Sequence, residues 1–323
     1  MHPGDLLHPQ NLYTLLCRPA LPKDTPDVME LTRHIWGGED YVPFVWADWL
    51  ADPQGLLAVA EYGGRVVGLS KLSRLSPHEW WLQGLRVHPD FQGRGIASRL
   101  HDYMLDFWQR SDGRVLRMAT ASFRLPVQHL CQRTGFQKVG EFSIYQTSAH
   151  RPEPGAHSNA AAGLGSGEAP VLNSRDDPAS TGFRRLENSE IPAALAFIQE
   201  GPALPLSYGL VDLGWEWVAP SEYFLKMAIE RGWGWWWEGG EGLVLFYEDE
   251  EGGKASFSIS LLACPLEKMA ACLQDASRLA GVLNSPYLGW IAPLHPGLQP
   301  VLEAAGFRRQ WDASVYVYEK WKP

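Results

Sequence analysis

The two halves of the chain end in the same pattern, and this recurrence limits the fold more than any other feature of the sequence. A Gly-Phe pair at 135–136 is followed by Ser-Ile-Tyr at 143–145, and a Gly-Phe pair at 306–307 is followed at the same spacing by Ser-Val-Tyr at 314–316. The offset of 171 residues is far longer than the repeats of about 20–50 residues that build solenoids. The sequence therefore predicts two copies of one domain.

The segment between the two halves has the composition of a flexible linker. Residues 151–180 are rich in Pro, Gly, Ala and Ser and show no apolar periodicity. A chain of 323 residues also suits two domains of about 150 residues each. We expect a first domain at residues 13–150, a linker at 151–180 and a second domain at 181–323.

Each half alternates segments with strand-like and helix-like patterns. In the first half the Gly63-Gly64 pair predicts a hairpin between two strands. Ile96, Leu100 and Met104 recur at the spacing of one helix face. The predicted strands cover 13–19, 55–62, 65–72, 78–87 and 115–119, with two more near Val139 and Ile144, and the predicted helices cover 26–36, 41–51, 95–110 and 125–133. This order predicts an α/β fold, with a mixed sheet between helices.

Composition excludes several classes of protein. With 45% hydrophobic and 20% charged residues the chain reads as soluble and globular. A formal charge of −9 argues against nucleic acid, whose phosphates need clustered Lys and Arg, and mildly favours a cationic amine as substrate. The sequence shows neither a secretory signal nor an apolar run of about 18 residues. Four scattered cysteines without metal-ligand spacing suggest no disulfide framework and no metal site. We expect a cytoplasmic protein with no membrane partner.

Residues 87–97, Val-His-Pro-Asp-Phe-Gln-Gly-Arg-Gly-Ile-Ala, join a predicted strand to a predicted helix. Gly93 and Gly95 let successive backbone N–H groups converge on an anion. The helix N-terminus adds unsatisfied N–H groups and a positive dipole end, and Arg94 adds a full charge. A pyrophosphate would fit this loop, whereas neither the GxxxxGK[ST] nor the GxGxxG cradle is present.

This run resembles the signature of the GNAT acetyltransferase family, a [QR]-x-x-G-x-[GA] loop after a strand that ends in V-x-P. The resemblance covers about residues 13–149. It implies acetyl-CoA as co-substrate, a sheet whose strands part after the strand that ends at Val87, and pantetheine in that gap. The N–H of Val87, often at a bulge in this family, would polarise the thioester carbonyl. The resemblance assigns CoA contacts to Leu85, Arg86, Val87, Gln92, Gly93, Arg94, Gly95, Ile96, Ala97, Ser98 and Arg124.

Transfer of an acyl group to an amine needs a general base. Many members of the family carry a glutamate on the strand before the loop, but this chain has Gln83 and Trp81 at those positions. Glu79 lies on the same strand face and is a candidate base. It could equally cap an exposed strand start. Glu39 and Asp40, in a loop that would overhang the acceptor site, are alternatives.

A general acid is expected near the departing thiolate. Where the family often has a tyrosine, this chain has Cys131, a candidate acid, although a cysteine at such a position is more often buried and inert. Arg124 stands where the family often has asparagine, so it could contact CoA or merely be solvated.

The second half repeats the element order without the glycine loop. Pro265 stands where Pro89 stood, but the residues that follow, 266–271, read Leu-Glu-Lys-Met-Ala-Ala. Bulky side chains and a glutamate would oppose a pyrophosphate, so we expect a degenerate GNAT-like domain that does not bind CoA. The tryptophans at 233 and 235–237 could wall an acceptor pocket or pack in the sheet. The layout resembles mycothiol synthase-like tandem GNATs.

Three functions are compatible with these patterns. The leading one is an acetyl-CoA-dependent N-acetyltransferase that acts on a primary amine of a small molecule, with its chemistry in the first domain. The second is an acyl-CoA sensor without turnover, which the missing Glu and Tyr suggest. The third is a peptide or protein N-acetyltransferase. The sequence names neither the acceptor nor the oligomeric state.

Overall fold

The computed structural model describes residues 15–33, 35–150, 178–251 and 254–322. Most of the predicted linker lies outside the described residues. The chain divides into two compact units. Of the described residues, unit 1 holds those up to 120, those at 124–138 and those from 318 onward, and unit 2 holds those at 121–123 and 139–317.

Unit 1 is a mixed sheet with helices, as predicted. Its strands are β1 (Leu16–Pro19), β2 (Leu56–Tyr62), β3 (Arg65–Arg74), β4 (Glu79–Val87) and β5 (Val115–Ala121), and its helices are α1 (Thr25–Thr32), α2 (Val42–Ala51), α3 (Ile96–Arg110) and α4 (Leu125–Arg133). The strands follow one another in order from β1 to β5. The pairs β1–β2, β2–β3 and β3–β4 are antiparallel, whereas β4–β5 is parallel.

The hairpin between β2 and β3 confirms the prediction from Gly63 and Gly64. Their φ angles are 59° and 82°, in the left-handed region that a tight hairpin turn requires and that glycine adopts at little cost.

The helices of unit 1 cover both faces of the sheet. Apolar residues of α1 and α2 join those of β2 and β3 in one core: Val28, Leu31, Val42, Trp46, Leu57, Val59, Val66 and Leu69. On the opposite face, α3 approaches β3 so closely that a Cβ on Gly68 would lie 3.0 Å from Cδ1 of Leu100. Because side chains alternate along a strand, Gly68 lies on the face of the sheet that packs against α3, and Leu69 lies on the face that packs against α1 and α2.

Unit 2 contains the second half together with a strand from the first. Its elements are β6 (Gln137–Ser148), β7 (Phe183–Arg185), α5 (Ile191–Glu200), α6 (Ala203–Leu206), β8 (Val211–Asp212), β9 (Trp217–Val218), α7 (Glu222–Glu230), β10 (Gly234–Trp237), β11 (Gly242–Glu251), β12 (Lys254–Ala263), α8 (Met269–Val282), β13 (Tyr287–Pro293), α9 (Gln299–Ala304), β14 (Arg308–Arg309) and β15 (Val315–Trp321). The two strands predicted near Val139 and Ile144 are one continuous strand, β6.

The two halves share a topology. In unit 1 a parallel ladder joins β4 to β5, and in unit 2 a parallel ladder joins β12 to β13. In each case a helix, α3 or α8, makes the connection. This supports the interpretation of two copies of one GNAT-like domain.

Most of the last strand of the first half belongs to unit 2, and the end of the last strand of the second half belongs to unit 1. From Val139 onward β6 belongs to unit 2, where it pairs with β13. The end of β15, from Tyr318, belongs to unit 1 and lies beside β5. There the N–H of Lys322 donates to the carbonyl of Arg114 at 2.9 Å. Dividing the chain within residues 151–180 therefore does not reproduce the two compact units. The domains 13–150 and 181–323 stay a prediction about which residues form each copy of the sequence repeat.

No helix among the described residues is long and apolar enough to cross a membrane. Within the same residues, no group of three His, Cys, Asp or Glu side chains could hold a metal ion.

Candidate functional site

The sheet of unit 1 opens between its two parallel strands. Trp81 pairs with Arg117 at the end of a ladder of three residues, which begins with Glu79 opposite Val115. Beyond it β4 runs on to Val87 and β5 to Ala121, and those described residues do not pair with each other. The predicted parting of the strands is present.

A bulge in β4 sets the direction of the backbone beside this gap. Leu69 pairs with Arg86 but Lys71 pairs with Gln83, so the two residues at 84–85 oppose one residue of β3. Gly84 supplies the positive φ of 68° that such a bulge favours. The bulge thus lies at Gly84 and Leu85 rather than at Val87, where the resemblance had suggested it.

The N–H of Val87 faces the gap. Val87 pairs with Gly68, and the next N–H, that of His88, donates to the carbonyl of Val67 at 2.9 Å. In an antiparallel ladder this register makes Gly68 and Val87 a pair without mutual hydrogen bonds. The N–H and C=O of Val87 therefore point away from β3, and its carbonyl accepts a bond from Nε2 of Gln92 at 3.3 Å.

The loop after β4 needs its two glycines for their backbone angles. Gly93 and Gly95 have φ angles of 72° and 77°, and a Cβ at either position would meet no atom within 4 Å. Relief from crowding within the chain is therefore not their role. A side chain at a positive φ costs about 1–2 kcal/mol, so these angles explain the glycines.

The N-terminus of α3 presents free donors to this loop. The N–H of Arg99 donates to the carbonyl of Gly95 at 3.1 Å, so the N–H groups of Ile96, Ala97 and Ser98 precede the first intrahelical bond. Gly95 at the N-cap offers no side chain to them. Arg94 is half-buried, with its guanidinium 5.4 Å from the ring of Phe91. Three N–H groups and one cation can thus meet an anion here.

The side chain of Arg86 forms an ion pair with Asp40. Its Nε and Nη2 donate to the two carboxylate oxygens of Asp40 at 3.0 and 2.9 Å. Asp40 is buried and also accepts the N–H of Val42 at 3.2 Å. Asp40 is thus committed to a structural contact, which argues against its use as a base.

Glu79 also has a structural contact. Its Oε1 accepts from Nη1 of Arg117 at 2.5 Å, and Nε of Arg117 donates to Oε2 of Glu319 at 2.8 Å. The side chains of Arg117 and Glu79 are 4% and 12% exposed. A carboxylate held by a buried cation at the start of β4 is poorly placed as a base, and it is not an exposed strand cap either.

Cys131 is buried and poorly suited to donate a proton. Burial raises the pKa of its thiol to about 12, and Sγ lies 3.4 Å from Sδ of Met118. The inert alternative from the sequence is therefore favoured. Of the other positions, Glu39 is exposed and Gln83 donates from Nε2 to the hydroxyl of Ser73 at 3.2 Å.

The connection between α1 and α2 brings residues to the gap that the sequence analysis missed. The Arg86 guanidinium lies 4.4 Å from the ring of Trp36 and 5.3 Å from that of Tyr41. The Arg124 guanidinium, which follows β5, lies 6.0 Å from the Trp36 ring. The ring of Trp49 reaches the bulge, since its Cη2 would lie 2.7 Å from a Cβ on Gly84. The glycines after Trp36 signal a turn but not these contacts.

Unit 2 has a bulge at the position equivalent to that of Gly84. Its β12 also carries an irregularity at Ser260, five residues before Pro265, as Gly84 is five residues before Pro89. Beside it a cavity of about 20 Å³ is lined mainly by apolar side chains, including Met269 and Trp290. That volume suits a single water. The absence of CoA binding in the second half stays a prediction.

The predicted tryptophan wall of the second half is buried. Trp235, Trp236 and Trp237 form β10 and are between 1% and 6% exposed. Their packing in the sheet is the alternative that the structure favours.

Known proteins resemble this chain over part or all of its length. The model of the "Acetyltransferase (GNAT) family" matches residues 25–136. The N-alpha-acetyltransferase RimI of Mycobacterium tuberculosis is 32% identical over 121 residues, which are 36% of this chain and 75% of that protein. A histidine N-acetyltransferase of Oreochromis niloticus is 33% identical over 82 residues, 25% of this chain, and the match spans only about a quarter (24%) of its length.

Two solved structures share the fold of the whole chain. A putative acetyltransferase from Thermoplasma acidophilum superposes with a TM-score of 0.55 at 16% identity, covering 95% of this chain and 100% of that one. A GCN5-related N-acetyltransferase from Sphaerobacter thermophilus gives a TM-score of 0.58 at 13% identity, with 96% of each chain covered. Together with the sequence matches these show that the chain belongs to the GNAT acetyltransferase family.

Proposed function

We propose that unit 1 transfers an acetyl group from acetyl-CoA to a primary amine of a small molecule. The observation that carries this proposal is the gap between β4 and β5, which the N–H of Val87 faces and which leads to the N-terminus of α3. Acetyl-CoA would supply the activated acyl thioester. The similarity to a histidine N-acetyltransferase supports a small amine as acceptor.

Each part of the site has a separate task in this proposal. The N–H groups of residues 96–98, with Arg94, bind the pyrophosphate. The N–H of Val87 donates to the carbonyl oxygen of the acyl group, where negative charge grows as the amine attacks. Such a donor contributes more to the transition state than to the ground state, because the oxygen carries more charge there.

Deprotonation of the acceptor is the step for which unit 1 offers the weakest candidates. Glu79 is bound to Arg117, Asp40 is bound to Arg86, and Cys131 is buried. We therefore propose that the acceptor enters as the neutral amine or loses its proton to water. The kcat/KM should rise with pH in parallel with the neutral fraction of each acceptor.

A free-thiol assay with acetyl-CoA and a panel of amines tests the proposal, with CoA affinity measured by calorimetry. Release of CoA that depends on the acceptor supports transfer. CoA binding without release across small amines and peptides would favour the sensor, for which the commitment of Glu79 and Asp40 to ion pairs is the supporting observation. Turnover with peptides alone would favour the peptide acetyltransferase, to which the similarity to RimI points.

A further inference from the structure

The connection between α1 and α2 places an exposed tryptophan at the opening of the gap in unit 1. Arg86, the residue before Val87 near the end of β4, has its guanidinium 4.4 Å from the ring of Trp36. The guanidinium of Arg124, just after β5, lies 6.0 Å from the same ring. Since β4 and β5 are parallel, their C-terminal ends lie at the same edge of the sheet. Trp36 therefore lies beside the opening where the strands have parted.

The backbone of Trp36 is strained, and burial of its side chain does not account for the strain. Its φ is 51° and its ψ is 36°, in the left-handed region that a bulky residue adopts only at a cost. Gly37 and Gly38 continue with φ angles of 75° and 103°, so the indole stands at the start of a tight turn. Trp36 is nevertheless 50% exposed. Strained residues of this kind cluster where ligands are bound.

A buried ion pair holds the indole in place from one side. Arg86 is 11% exposed, and its Nε and Nη2 donate to both carboxylate oxygens of Asp40, which is 1% exposed. Asp40 in turn accepts the N–H of Val42, at the start of α2. The guanidinium is thus fixed, and its attraction to the indole orders the ring. A side chain that is already ordered loses little conformational entropy when a ligand packs on it.

The contacts of this indole suit an uncharged, apolar ligand group. The charge of Arg86 is matched by that of Asp40, so the pair offers no net charge to a ligand. Since a guanidinium already interacts with the ring of Trp36, a second cation on the same ring would be repelled by the first. An aromatic or large aliphatic group would instead gain from the apolar area that it buries and from contact with the ring.

Two further aromatic rings continue from Trp36 along β4. The ring of Tyr41 lies 6.3 Å from that of Trp36, and the ring of Trp49 lies 5.9 Å from that of Tyr41. Cη2 of Trp49 would lie 2.7 Å from a Cβ on Gly84, so this row of rings ends at the bulge. A ligand group on Trp36 therefore lies beside the strand whose Val87 N–H faces the gap.

We propose that Trp36 determines the acceptor class, and that the acceptor is a primary amine with an aromatic or large aliphatic group. This group packs on the exposed part of the indole while the amine reaches the gap. The inference rests on the proposed function and names its substrate class. Trp36 is then a specificity-determining residue that takes no part in proton transfer, so its contribution falls mainly on KM.

A series of primary amines tests this selection. The kcat/KM, divided by the neutral fraction of each amine, is compared for phenethylamine, 2-cyclohexylethylamine and ethylamine, which share the aminoethyl group. We expect the two large amines to exceed ethylamine by about 10- to 100-fold, the gain from burial of a side group of this size. An ethylamine value equal to those of the large amines would overturn the proposal.

Variants of Trp36 connect the preference to the indole. Trp36→Asn removes the ring but keeps a residue that tolerates the left-handed conformation. It should lower kcat/KM for phenethylamine about 10- to 100-fold, chiefly through KM, and leave the value for ethylamine unchanged. Trp36→Phe should retain part of the preference, because it keeps an aromatic ring. An equal loss for both amines in Trp36→Asn would overturn the proposal.

Phe44 provides the matched control. It is an aromatic residue of α2 that is 85% exposed, so Phe44→Ala removes an exposed ring without touching the opening and should change neither kcat/KM. The affinity for CoA should be the same in all of these variants. The same loss in Phe44→Ala as in Trp36→Asn would overturn the proposal. Weaker CoA binding in Trp36→Asn would also overturn it, because the indole would then serve the co-substrate.

The same experiments distinguish failure of this inference from failure of the proposed function. If small polar amines react and phenethylamine does not, only the inference fails. If no amine releases CoA while CoA binds, the transferase proposal fails. Calorimetry of phenethylamine with the CoA-saturated protein then decides the inference, because binding that Trp36→Asn abolishes would uphold the apolar site and absence of binding would end it.

Discussion

Replacement of Arg117 with methionine should destabilise the sheet of unit 1 at the point where its strands part. Arg117 is the last residue of β5 that pairs with β4. Its guanidinium binds Glu79 at 2.5 Å and Glu319 at 2.8 Å, and the three side chains are 4%, 12% and 17% exposed. Methionine fills a similar volume but leaves two carboxylates with little access to water and without their cation.

The size of the effect follows from the burial of the network. Removal of one partner from a buried ion pair costs about 3–5 kcal/mol, because the remaining charge is uncompensated. By contrast, Arg133 and Asp102 form an exposed pair at 2.6 Å, with side chains 47% and 50% exposed. Such a pair contributes at most about 1 kcal/mol. Arg133→Met is therefore the matched control.

Hydrogen exchange of the peptide that covers Val115–Ala121 measures the opening of β5 directly. At about 1.4 kcal/mol per factor of ten, Arg117→Met should speed the slowest amides between about 100-fold and several thousand-fold, and Arg133→Met by less than about 10-fold. Adding Glu79→Gln and Glu319→Gln to Arg117→Met should recover most of the protection, since neutral replacement of a buried network is often tolerated. Equal exchange in the two single variants would refute the reasoning.

Three further substitutions test the loop, a buried histidine and the cysteine. Gly95→Ala should weaken CoA binding about 5- to 30-fold in calorimetry, because φ is 77° and strain of about 1–2 kcal/mol would displace the α3 N-terminus. Gly64→Ala, at a φ of 82° in a hairpin, should leave CoA affinity unchanged, and equal affinities in both variants would contradict this. Burial lowers the pKa of His101 to about 4, below the ordinary value of about 6.5, so the unfolded state gains a proton first and stability should fall as the pH drops from 6.5 to 4, by about 1.4 kcal/mol per pH unit. His101→Gln should flatten that slope in urea unfolding, and an unchanged slope would count against the assignment. Cys131→Ala should keep kcat within about twofold, because burial raises the pKa of the thiol to about 12; a loss of 100-fold would restore Cys131 as the acid.

The features that could be predicted from sequence have local causes. The hairpin depends on the neighbours Gly63 and Gly64, and the loop depends on Gly93 and Gly95, whose positive φ angles other residues resist. A glycine inside a strand, Gly84, was a signal for the bulge that the sequence analysis did not use.

The features that could not be predicted depend on residues far apart in the chain. Arg86 was assigned to CoA, but its side chain binds Asp40, 46 residues earlier. Glu79 was predicted to be a base or to cap an exposed strand, but its carboxylate binds Arg117. The other partner of Arg117 is Glu319, which lies 202 residues further along the chain. The pattern of residues within a single segment does not indicate ion pairs between residues so far apart in the chain. For a related reason, the sequence does not show that β6 belongs to unit 2 and the end of β15 to unit 1. Both strands follow the same Gly-Phe pattern, so either strand would fit into either copy of the domain.

Because the end of β15 belongs to unit 1, the sheet of unit 1 can be completed only after most of the second half has been synthesised. Domains generally fold as units while the chain is made, the N-terminal one first. Here the sheet of unit 1 gains its strand beside β5 only when residues 318–321 have emerged, about 200 residues after Arg117. Until then the edge of β5 and the buried cation at Arg117 lack that neighbour, and an unpaired edge is a site for wrong pairing. A nascent first half would therefore expose this strand edge until residues 318–321 have been made.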